Sequence, residues 1–486
     1  MRKQKDMRPD ARVPLIEKLG ISLGYQGPNL YTMIISSFLL VYYTNVVGLG
    51  AGAVATVMGI SKVLDGLSDI VAGTILDRTH TKYGKCRPWI VRMIIPTAVC
   101  AFLMFFVPAG FSNGLKLVYV FITYNLMSTI CMTMNSVAWS SMNGSLSMDQ
   151  RDRGINGGLM MFFGIVGGVV LNSTVLQIAE KVGGGDPYTQ AGWTAMILIY
   201  TAAYVVLSIF GFFFTTERVT LANWGKQKES GTTEEEKKDD IPVLESLKIL
   251  IHDKYWVIFV ITMICVVYMQ TGFGMSNVYF AQYVLGDVYL YTPLGNFLSI
   301  SALIGSVVAI PLMAKIKKRN LCMMGLVSIC IGAFLPLITH ALPMLYASAV
   351  LKGLGTGAAG AILGGMLQDT ITYAQWQSGK DVLGMGNAAY SFCNKIGSSI
   401  GTILFGWILD WSGFDGLLDV QPASAIGAIN TLYIWIPGIA MILAIVCMYF
   451  YDLDNKYADI AADLKKRMGL TENGAAQEPV HGQDSQ

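Results

Sequence analysis

Twelve long apolar segments dominate this sequence, and they restrict the chain to one class of fold. A helix that crosses the hydrocarbon core of a bilayer needs about 20 consecutive apolar residues. Because lipid offers the backbone no hydrogen-bond partner, such segments cross as α-helices. With 53% hydrophobic and only 14% charged residues among 486, the chain is predicted to be an all-α membrane protein. The predicted spans are 20–46, 50–76, 88–109, 117–142, 154–178, 193–215, 255–284, 293–314, 321–339, 343–368, 383–410 and 427–451.

Basic residues fall in alternate loops and predict how the chain is oriented. Lys and Arg gather in the N-terminal tail and after spans 2, 4 and 8, whereas the opposite loops of the first half carry only Lys116 and Lys181. Loops rich in Lys and Arg stay in the cytoplasm. Both termini are therefore expected to be cytoplasmic. Since orientation explains the basic residues, the net charge of +2 predicts no nucleic-acid partner.

A long polar stretch inside the chain, residues 217–254, divides the spans six and six. Its charge run from Glu234 to Asp240 is typical of a solvated cytoplasmic linker. We therefore expect an N-terminal half at 1–216, a C-terminal half at 255–451 and a polar, disordered tail at 452–486. Two six-helix halves are typical of the major facilitator fold, in which the substrate binds near the midplane between them.

The second span contains two acidic residues, Asp65 and Asp69, one helical turn apart on one face. A carboxylate at the centre of a bilayer costs about 2.5 to 3.5 kcal/mol, so it usually faces a partner, an ion or a water-filled path. Two carboxylates that close resist simultaneous ionisation, and they either share a proton or bind a small cation. Lys62, one turn earlier, is the predicted charge partner. A buried ion-pair cluster that only holds helices together is the alternative.

The eleventh span carries a single ionised residue, Lys395, within 382–409. Polar side chains recur around it at intervals of four, which places them on one helix face. We expect this stripe to line a cavity, where Lys395 either contacts the substrate or neutralises the carboxylates of the second span. The stripe consists of Asn387, Ser391, Lys395 and Ser399.

Several longer motifs resemble those of the glycoside-pentoside-hexuronide:cation symporters, which include melibiose permease and the bacterial glucuronide carriers. The motifs are YYTNVVGL at 42–49, the two aspartates of the second span, GTILDRTHTKYGKCRPW at 73–89, DTITY at 369–373 and SFCNKIG at 391–397. The resemblance extends over residues 16–451. It implies the major facilitator fold, a location in the plasma (bacterial inner) membrane, and import of a sugar or glycoside driven by a proton or sodium gradient. No cofactor is implied beyond this coupling cation.

The resemblance also implies a cation site at Asp65, Ser68 and Asp69, where Na⁺ is a candidate ligand of the two carboxylates. Members of the melibiose type have an asparagine where this chain has Ser68, and a threonine where it has Met132. A thioether is a poor ligand for a hard cation. The identity of the coupling ion, H⁺ or Na⁺, therefore stays open.

Sugar sites combine amides directed at hydroxyl groups with an aromatic platform, and the first, fourth and eleventh spans supply such groups. The predicted substrate-binding residues are Tyr25, Asn29, Asn135, Trp139, Tyr390, Ser391 and Lys395. Charged sugar-binding positions of the melibiose type are uncharged here. The glucuronide carriers are more similar in the fourth span, and a hexuronide would find a cationic partner in Lys395.

The predicted gate lies at the cytoplasmic ends of the second and tenth spans and consists of Gly73, Asp77, Arg78 and Asp369. The glycine-rich run 353–365 is attributed to close helix packing, since it lacks the strand and lysine of a nucleotide loop. Lys352, near an outer helix end, is expected to snorkel to the membrane surface.

Two other function classes were weighed against sugar symport. The chain could transport a different amphipathic solute, such as a lipid or steroid conjugate. It could also be a membrane enzyme or sensor, but the sequence offers no nucleophile-base pair, metal cluster or soluble catalytic domain. We therefore predict a transporter that is not an enzyme, whose partners are a sugar or glycoside, a coupling cation and the lipid bilayer.

Overall fold

The fold was taken from a computed structural model, which describes residues 12–79, 81, 84–146, 150–217, 243–313, 315–379, 383–418, 420–457, 459–460 and 463. Every regular element within these ranges is helical. Twelve long helices, named α1 to α12, coincide with the predicted spans, which confirms the predicted all-α membrane fold. A further short helix, Val243–His252, precedes α7 and is called the linker helix.

The N-terminal bundle contains α1 to α6. Their bounds are Leu15–Val41 with a π-helical turn Tyr42–Val46 (α1), Ala51–Asp77 (α2), Arg87–Arg92 with Ile94–Met104 (α3), Asn113–Asn125 with a π-helical turn Leu126–Met132 and Thr133–Leu146 (α4), Gln150–Val182 (α5) and Gln190–Phe214 (α6).

The C-terminal bundle contains α7 to α12. Their bounds are Lys254–Tyr279 with a π-helical turn Phe280–Val284 (α7), Tyr291–Leu312 (α8), Lys318–Phe334 (α9), Leu342–Ser378 (α10), Leu383–Trp411 (α11) and Ala423–Asn430 with a π-helical turn Thr431–Trp435 and Ile436–Tyr449 (α12). The predicted linker and tail fall largely on 218–242 and 464–486, which lie outside the described residues.

Within the described ranges, 10 helices are long and apolar enough to cross a membrane. The two that fall short are α1 and α2, whose middles carry polar groups such as Asn29 and the three charged residues Lys62, Asp65 and Asp69. The low hydropathy of these two helices reflects these polar and charged groups, which are costly inside a bilayer. Membrane helices that carry charged or polar groups, such as α1 and α2, are therefore missed when hydropathy is the only criterion.

Most helix ends agree with the sequence prediction to within a few residues, but α10 does not. The prediction ended this span at residue 368, whereas the helix continues to Ser378. The extra turns are polar, so they continue the helix beyond the apolar layer. The helix stops where Gly379 adopts a left-handed conformation with φ of 68°, which glycine adopts without steric cost.

Glycines allow neighbouring helices to approach closely in both bundles. A methyl group added to Gly357 of α10 would lie 1.8 Å from the carbonyl oxygen of Ala302 in α8, and one added to Gly24 of α1 would lie 2.1 Å from the Trp139 ring of α4. Lipid gives no hydrophobic driving force between helices, so close backbone contact at small residues holds them together. Close packing thus accounts for the start of the 353–365 glycine run.

The two bundles meet along α2 and α11. Ser399 donates to the carbonyl oxygen of Gly59 at 2.6 Å, and a methyl group on Gly406 would lie 2.1 Å from the Cβ of Ala55. This tight interface sets the charged residues of α2 opposite those of α11.

The face at which α1 begins and α12 ends is called the terminal face here. At the opposite face the bundles are joined by polar contacts. Thr44 lies 3.0 Å from the hydroxyl of Tyr279, and the Tyr188 hydroxyl donates to Gln282 at 2.6 Å. The described hydrogen bonds between the bundles lie at this face or at mid-membrane, and the larger cavity opens on the terminal side. The conformation is therefore closed at the opposite face.

Candidate functional site

Asp65 is held by two hydroxyl groups from the same bundle. Ser128 and Thr129, in the π-helical turn of α4, each donate to one of its carboxylate oxygens at 2.6 Å. A π-helical turn changes the helical register, and such turns are frequent at functional sites. Asp65 is buried, so these charge-assisted bonds compensate part of its desolvation.

Asp69 is paired across the two bundles. The Lys395 ammonium lies 2.6 Å from the Asp69 carboxylate and donates at 2.6 Å to the backbone carbonyl of Asp65. About a third of the Asp69 side chain and a quarter of the Lys395 side chain are exposed, 34% and 27% respectively. Two roles were predicted for Lys395, substrate contact and neutralisation of a carboxylate. In this conformation Lys395 neutralises Asp69.

Lys62 makes different contacts from those predicted. Its ammonium donates to Ser398 and Thr402 of α11, each at 2.8 Å. Within the described part of the chain it has no carboxylate at ion-pair distance. The arrangement therefore does not support the alternative in which Lys62 and the two aspartates form a purely structural ion-pair cluster.

Ser68 completes an oxygen-rich group around the carboxylates. Its hydroxyl contacts the Asp65 carbonyl at 3.0 Å and the Thr133 hydroxyl at 3.1 Å. The described residues contain no group of three or more His, Cys, Asp or Glu that could hold a metal ion. Two carboxylates with hydroxyl neighbours suit a proton or a small monovalent cation, since hard cations prefer oxygen ligands.

Two members of this group, Thr129 and Thr133, were not singled out from the sequence. The prediction noted that Met132 leaves the fourth span without the threonine of the melibiose type. The structure supplies hydroxyls from neighbouring positions instead, because the π-helical turn brings Ser128 and Thr129 together on the carboxylate. The available signal was the recurrence of hydroxyl side chains in an apolar span.

Tyr25 and Asn29 of α1 line an open cavity of about 470 Å³ between α1, α4 and α5. We call it the N-bundle cavity; its other walls are Ser140, Asn143, Gly157, Met160, Met161 and Gly164. Gln26 positions Asn29, since it accepts from the Asn29 amide at 2.9 Å and donates to the carbonyl of Met160 at 2.7 Å. The cavity thus combines amides and an aromatic ring with methionines.

Asn135 and Trp139 do not line this cavity. Asn135 is fully buried and donates at 3.0 Å to Thr97 of α3, and Trp139 packs in the contact between Gly24 of α1 and Gly211 of α6. The cavity face of α4 carries Ser140 and Asn143 instead. The surroundings of Asn135 and Trp139 indicate structural roles, in contrast to their predicted substrate contacts.

The remaining predicted substrate residues lie on α11. Ser391 is exposed one turn before Lys395, whereas the ring of Tyr390 lies 6.0 Å from that of Phe259 in α7. Neither residue is among those lining the N-bundle cavity.

A second pocket of about 160 Å³ lies between the bundles, nearer the opposite face, and no residue lining it was predicted. We call it the inter-bundle pocket. Its lining comes from five helices, so no sequence motif marks it. Asn277, which is part of this lining, has a buried amide oxygen without a hydrogen-bond partner in the described structure. The polar and aromatic residues of its wall are Ser37, Asn172, Gln270, Phe273, Asn277, Tyr291, Ser299 and Thr356.

Lys352 of α10 is fully buried, and its ammonium has no hydrogen-bond partner in the described structure. It lies over two rings, 4.2 Å from the centre of Tyr433 and 4.6 Å from that of Phe273. Burying an unpaired ammonium costs several kcal/mol, and each desolvated cation–π contact returns about 2 kcal/mol. The prediction that Lys352 snorkels is wrong, because α10 turns this residue toward α7 and α12.

The predicted gate residues whose side chains the structure describes are not joined across the bundles. Asp369 forms an ion pair with Lys318 of its own bundle, Arg78 is exposed, and a methyl group on Gly73 would meet nothing within 4 Å. The side chain of Asp77 lies outside the described part of the structure. This arrangement agrees with a cavity open at the terminal face.

The loop that carries the GTILDRTHTKYGKCRPW motif is anchored by Glu217. The Glu217 carboxylate accepts the backbone N–H groups of Lys85, Cys86 and Arg87, each at 2.8 Å. An anion at the start of a helix satisfies donors that have no partner within the helix. The end of α6 thereby holds the beginning of α3.

Comparison with known proteins agrees with this architecture. A family model described as MFS/sugar transport protein matches residues 20–455. The chain is 29% identical over 460 residues to an isoprimeverose transporter of Lactiplantibacillus pentosus, covering 94% of this chain and 92% of that protein. It is 26% identical over 459 residues to a glucuronide carrier protein homolog of Escherichia coli, covering 92% and 95% respectively.

Solved structures share the fold at low sequence identity. The nucleoside transporter NupG superposes with a TM-score of 0.62 at 13% identity, covering 90% of this chain and 100% of that one. A D-xylose-proton symporter gives a TM-score of 0.60 at 15% identity, covering 91% and 98%.

Proposed function

This chain belongs to the MFS/sugar transport protein family, and we propose that it is a cation-coupled symporter that imports a sugar or glycoside. The family and the apolar helices make it a multi-pass membrane transporter. Relatives named as isoprimeverose, glucuronide and glycoside/cation transporters support a sugar or glycoside as the substrate. The basic loops support a cytoplasmic terminal face in a bacterial inner membrane.

The observation that carries the proposal is the linkage of Asp65 and Asp69 to different bundles. Asp65 is bonded to hydroxyls of α4 within the N-terminal bundle, while Asp69 is paired with Lys395 of the C-terminal bundle. A cation that binds both carboxylates must compete with Lys395 for Asp69. Cation occupancy therefore changes a contact between the two bodies whose relative rocking gives alternating access.

Coupling follows from differential binding. An ion shifts the balance between two conformations only when its affinity for them differs. In the present conformation Lys395 occupies Asp69, which weakens cation binding on the terminal side and favours release there. When the bundles rock and separate this pair, the freed carboxylates form a stronger cation site facing the other way. Protonation of the pair and binding of Na⁺ both satisfy this scheme.

The sugar is proposed to bind in the N-bundle cavity, where Tyr25 and Asn29 supply an aromatic surface and an amide. The cavity adjoins α4, which also carries the hydroxyl ligands of Asp65. Movement of α4 therefore connects sugar occupancy with the cation site.

Gradient-driven uptake by purified protein in vesicles tests the proposal. Labelled neutral glycosides and glucuronides are offered with an imposed Na⁺ gradient, an imposed pH gradient or neither. Concentrative uptake with one of the two gradients is expected. Uptake of sugars that never exceeds equilibrium under either gradient would overturn cation coupling, and absence of any sugar transport would overturn the substrate class.

A further inference from the structure

We propose that Lys352 is the cationic partner of an acidic group on the substrate when the substrate occupies the inter-bundle pocket, a second binding position on the pathway that lies nearer the opposite face than the N-bundle cavity. The inference rests on the proposed function and narrows its substrate class to sugars that carry a carboxylate or sulfonate. Nothing in the sequence motifs marks Lys352, which lies outside the family-like stretches on α11 and α2.

The first step is the position of Lys352 directly behind the wall of the pocket. The ring of Phe273 lines the pocket on one side and receives the Lys352 ammonium 4.6 Å from its centre. Thr356, one helical turn after Lys352, also lines the pocket. The ammonium therefore lies against a residue of the pocket wall.

The second step is the missing counter-ion. Lys352 is fully buried without a hydrogen-bond partner, and its neighbour Tyr433 likewise has a buried hydroxyl without one. The described contacts of the ammonium are two aromatic rings, which offset only part of the loss of hydration. A carboxylate or sulfonate that reached this ammonium would supply the charge-assisted bonds it lacks.

The third step concerns the other lysines near the transport pathway. Lys395 is already bonded to Asp69 and to the Asp65 carbonyl, and Lys62 is bonded to two hydroxyls of α11. An acidic sugar at Lys395 would have to displace an aspartate. Lys352 would form its bond without breaking an ion pair.

An anionic group reaches the ammonium when the ring of Phe273 turns aside. Asn277 also lines the pocket, and its buried amide oxygen, which has no partner in the described structure, can accept from a sugar hydroxyl there.

Exchange transport in proteoliposomes tests the proposal without a cation gradient. The probes are methyl β-glucoside, methyl β-glucuronide and methyl 6-deoxy-6-sulfoglucoside, so that a carboxylate and a sulfonate are compared with a neutral sugar. Wild-type protein is compared with Lys352→Met and Lys352→Arg. Methionine has a similar length without the charge. Because an unpaired buried charge is itself costly, its replacement by an apolar side chain is not expected to destabilise the fold.

The expected result is a KM for at least one acidic sugar that rises about tenfold or more in Lys352→Met, because a buried charge pair is lost. The KM for the neutral sugar should change less than about twofold, and Lys352→Arg should keep the preference for acid. Equal losses for acidic and neutral sugars, or no loss, would overturn the proposal. If neither variant folds, the wild-type preference decides, and a wild type that prefers the neutral sugar overturns it.

The outcomes separate this inference from the proposed function. Wild-type protein that exchanges the neutral glucoside but neither acidic sugar leaves the sugar-transport proposal standing and rejects the role of Lys352. Wild-type protein that exchanges none of the three sugars rejects the proposed function itself.

Discussion

Lys395 of α11 donates to the Asp69 carboxylate of α2 at 2.6 Å and so joins the two bundles at mid-membrane. The same ammonium is bonded to the backbone carbonyl of Asp65. One lysine therefore contacts both positions of the carboxylate pair, and any cation bound there must rearrange it. This competition gives the site its expected behaviour in transport.

Asp69→Asn should abolish accumulation of sugar against a gradient and leave exchange of sugar measurable. Asparagine keeps the size of the side chain, but it removes the charge that binds the cation. The measurement is uptake of labelled sugar by vesicles with and without an imposed cation gradient, beside sugar exchange in the same vesicles. Undiminished accumulation would remove Asp69 from the cation site.

Lys395→Met should strengthen cation binding and slow net transport. Loss of the competing ammonium frees Asp69, and the cation concentration for half-maximal sugar binding should fall about tenfold. Lys395→Arg keeps the charge and serves as the matched control. Sugar binding titrated with Na⁺ and with pH measures both variants, and an unchanged half-maximal concentration in the methionine variant argues against competition.

Ser128→Ala and Thr129→Val should weaken cation coupling through Asp65. Each hydroxyl gives a charge-assisted hydrogen bond worth about 1.5 to 3 kcal/mol, so each loss should change the cation dependence by about tenfold to a hundredfold. Thr123→Val is a suitable control, because this hydroxyl of α4 donates to the carbonyls of Tyr119 and Val120 and has no described contact with Asp65. Equal cation dependence in all three variants would show that the π-helical turn does not act on the site.

Much of the fold and the charged part of the site could be predicted from the sequence. Most helical spans follow from hydropathy, and Asp65, Asp69 and Lys395 stand out because an ionised group in an apolar helix is expensive. Which carboxylate the lysine would reach depends on the packing of α2 against α11, and that packing depends on glycines distributed over both helices.

The contribution of α4 could not be predicted in the same way. Asn135 and Trp139 were predicted to contact the substrate because they are polar or aromatic residues in an apolar span, but the helix is interrupted before them by a π-helical turn at Leu126–Met132. Such a turn changes the direction of every side chain that follows it. The same limit applies to Lys352, since distance from a helix end in sequence does not reveal which neighbours cover it.

The different surroundings of Asn29 and Trp139 give opposite expectations. Asn29→Ala should raise the KM for sugar about fivefold to tenfold by removing one amide contact, with little change in thermal stability. Trp139→Ala should lower the free energy of unfolding by about 3 to 5 kcal/mol, because it empties a packed core position. The fraction of this variant that folds should keep the wild-type KM for sugar. Thermal unfolding in detergent and sugar uptake measure both; a raised KM with normal stability in Trp139→Ala would restore its predicted substrate role.

Stability should depend on pH through Asp253, which lies just before α7. Burial raises the pKa of this carboxyl to about 6 from its ordinary value of 3.8, so the folded state binds the proton more tightly than the unfolded state. The folded state is therefore favoured below pH 3.8, and this stabilisation is lost as the pH rises to about 6.

Asp253→Asn should keep the helix cap and remove that pH dependence. The Asp253 side chain accepts from the backbone N–H of Tyr255 at 2.9 Å, and asparagine caps helices equally well. At pH near 7 the variant should be more stable by about 1 to 3 kcal/mol. Unfolding curves between pH 4 and 8 measure the effect, and parallel curves for the two proteins would contradict the assignment.

Gln282→Leu should shift the conformational balance toward opening at the opposite face. The Gln282 oxygen accepts from Tyr188 at 2.6 Å and from Asn45 at 3.3 Å, and both donors belong to the N-terminal bundle. Loss of two hydrogen bonds of about 1 kcal/mol each changes the ratio of conformations about thirtyfold. Labelling of Ser37→Cys in a cysteine-free background by a membrane-impermeant maleimide should therefore accelerate.

The matched control is Gln190→Leu. The amide oxygen of Gln190 accepts from the Tyr42 hydroxyl at 2.8 Å, and both residues belong to the N-terminal bundle. Only Gln282→Leu breaks contacts between the bundles. Equal labelling rates in the two variants would therefore mean that the hydrogen bonds of Gln282 do not hold the opposite face closed.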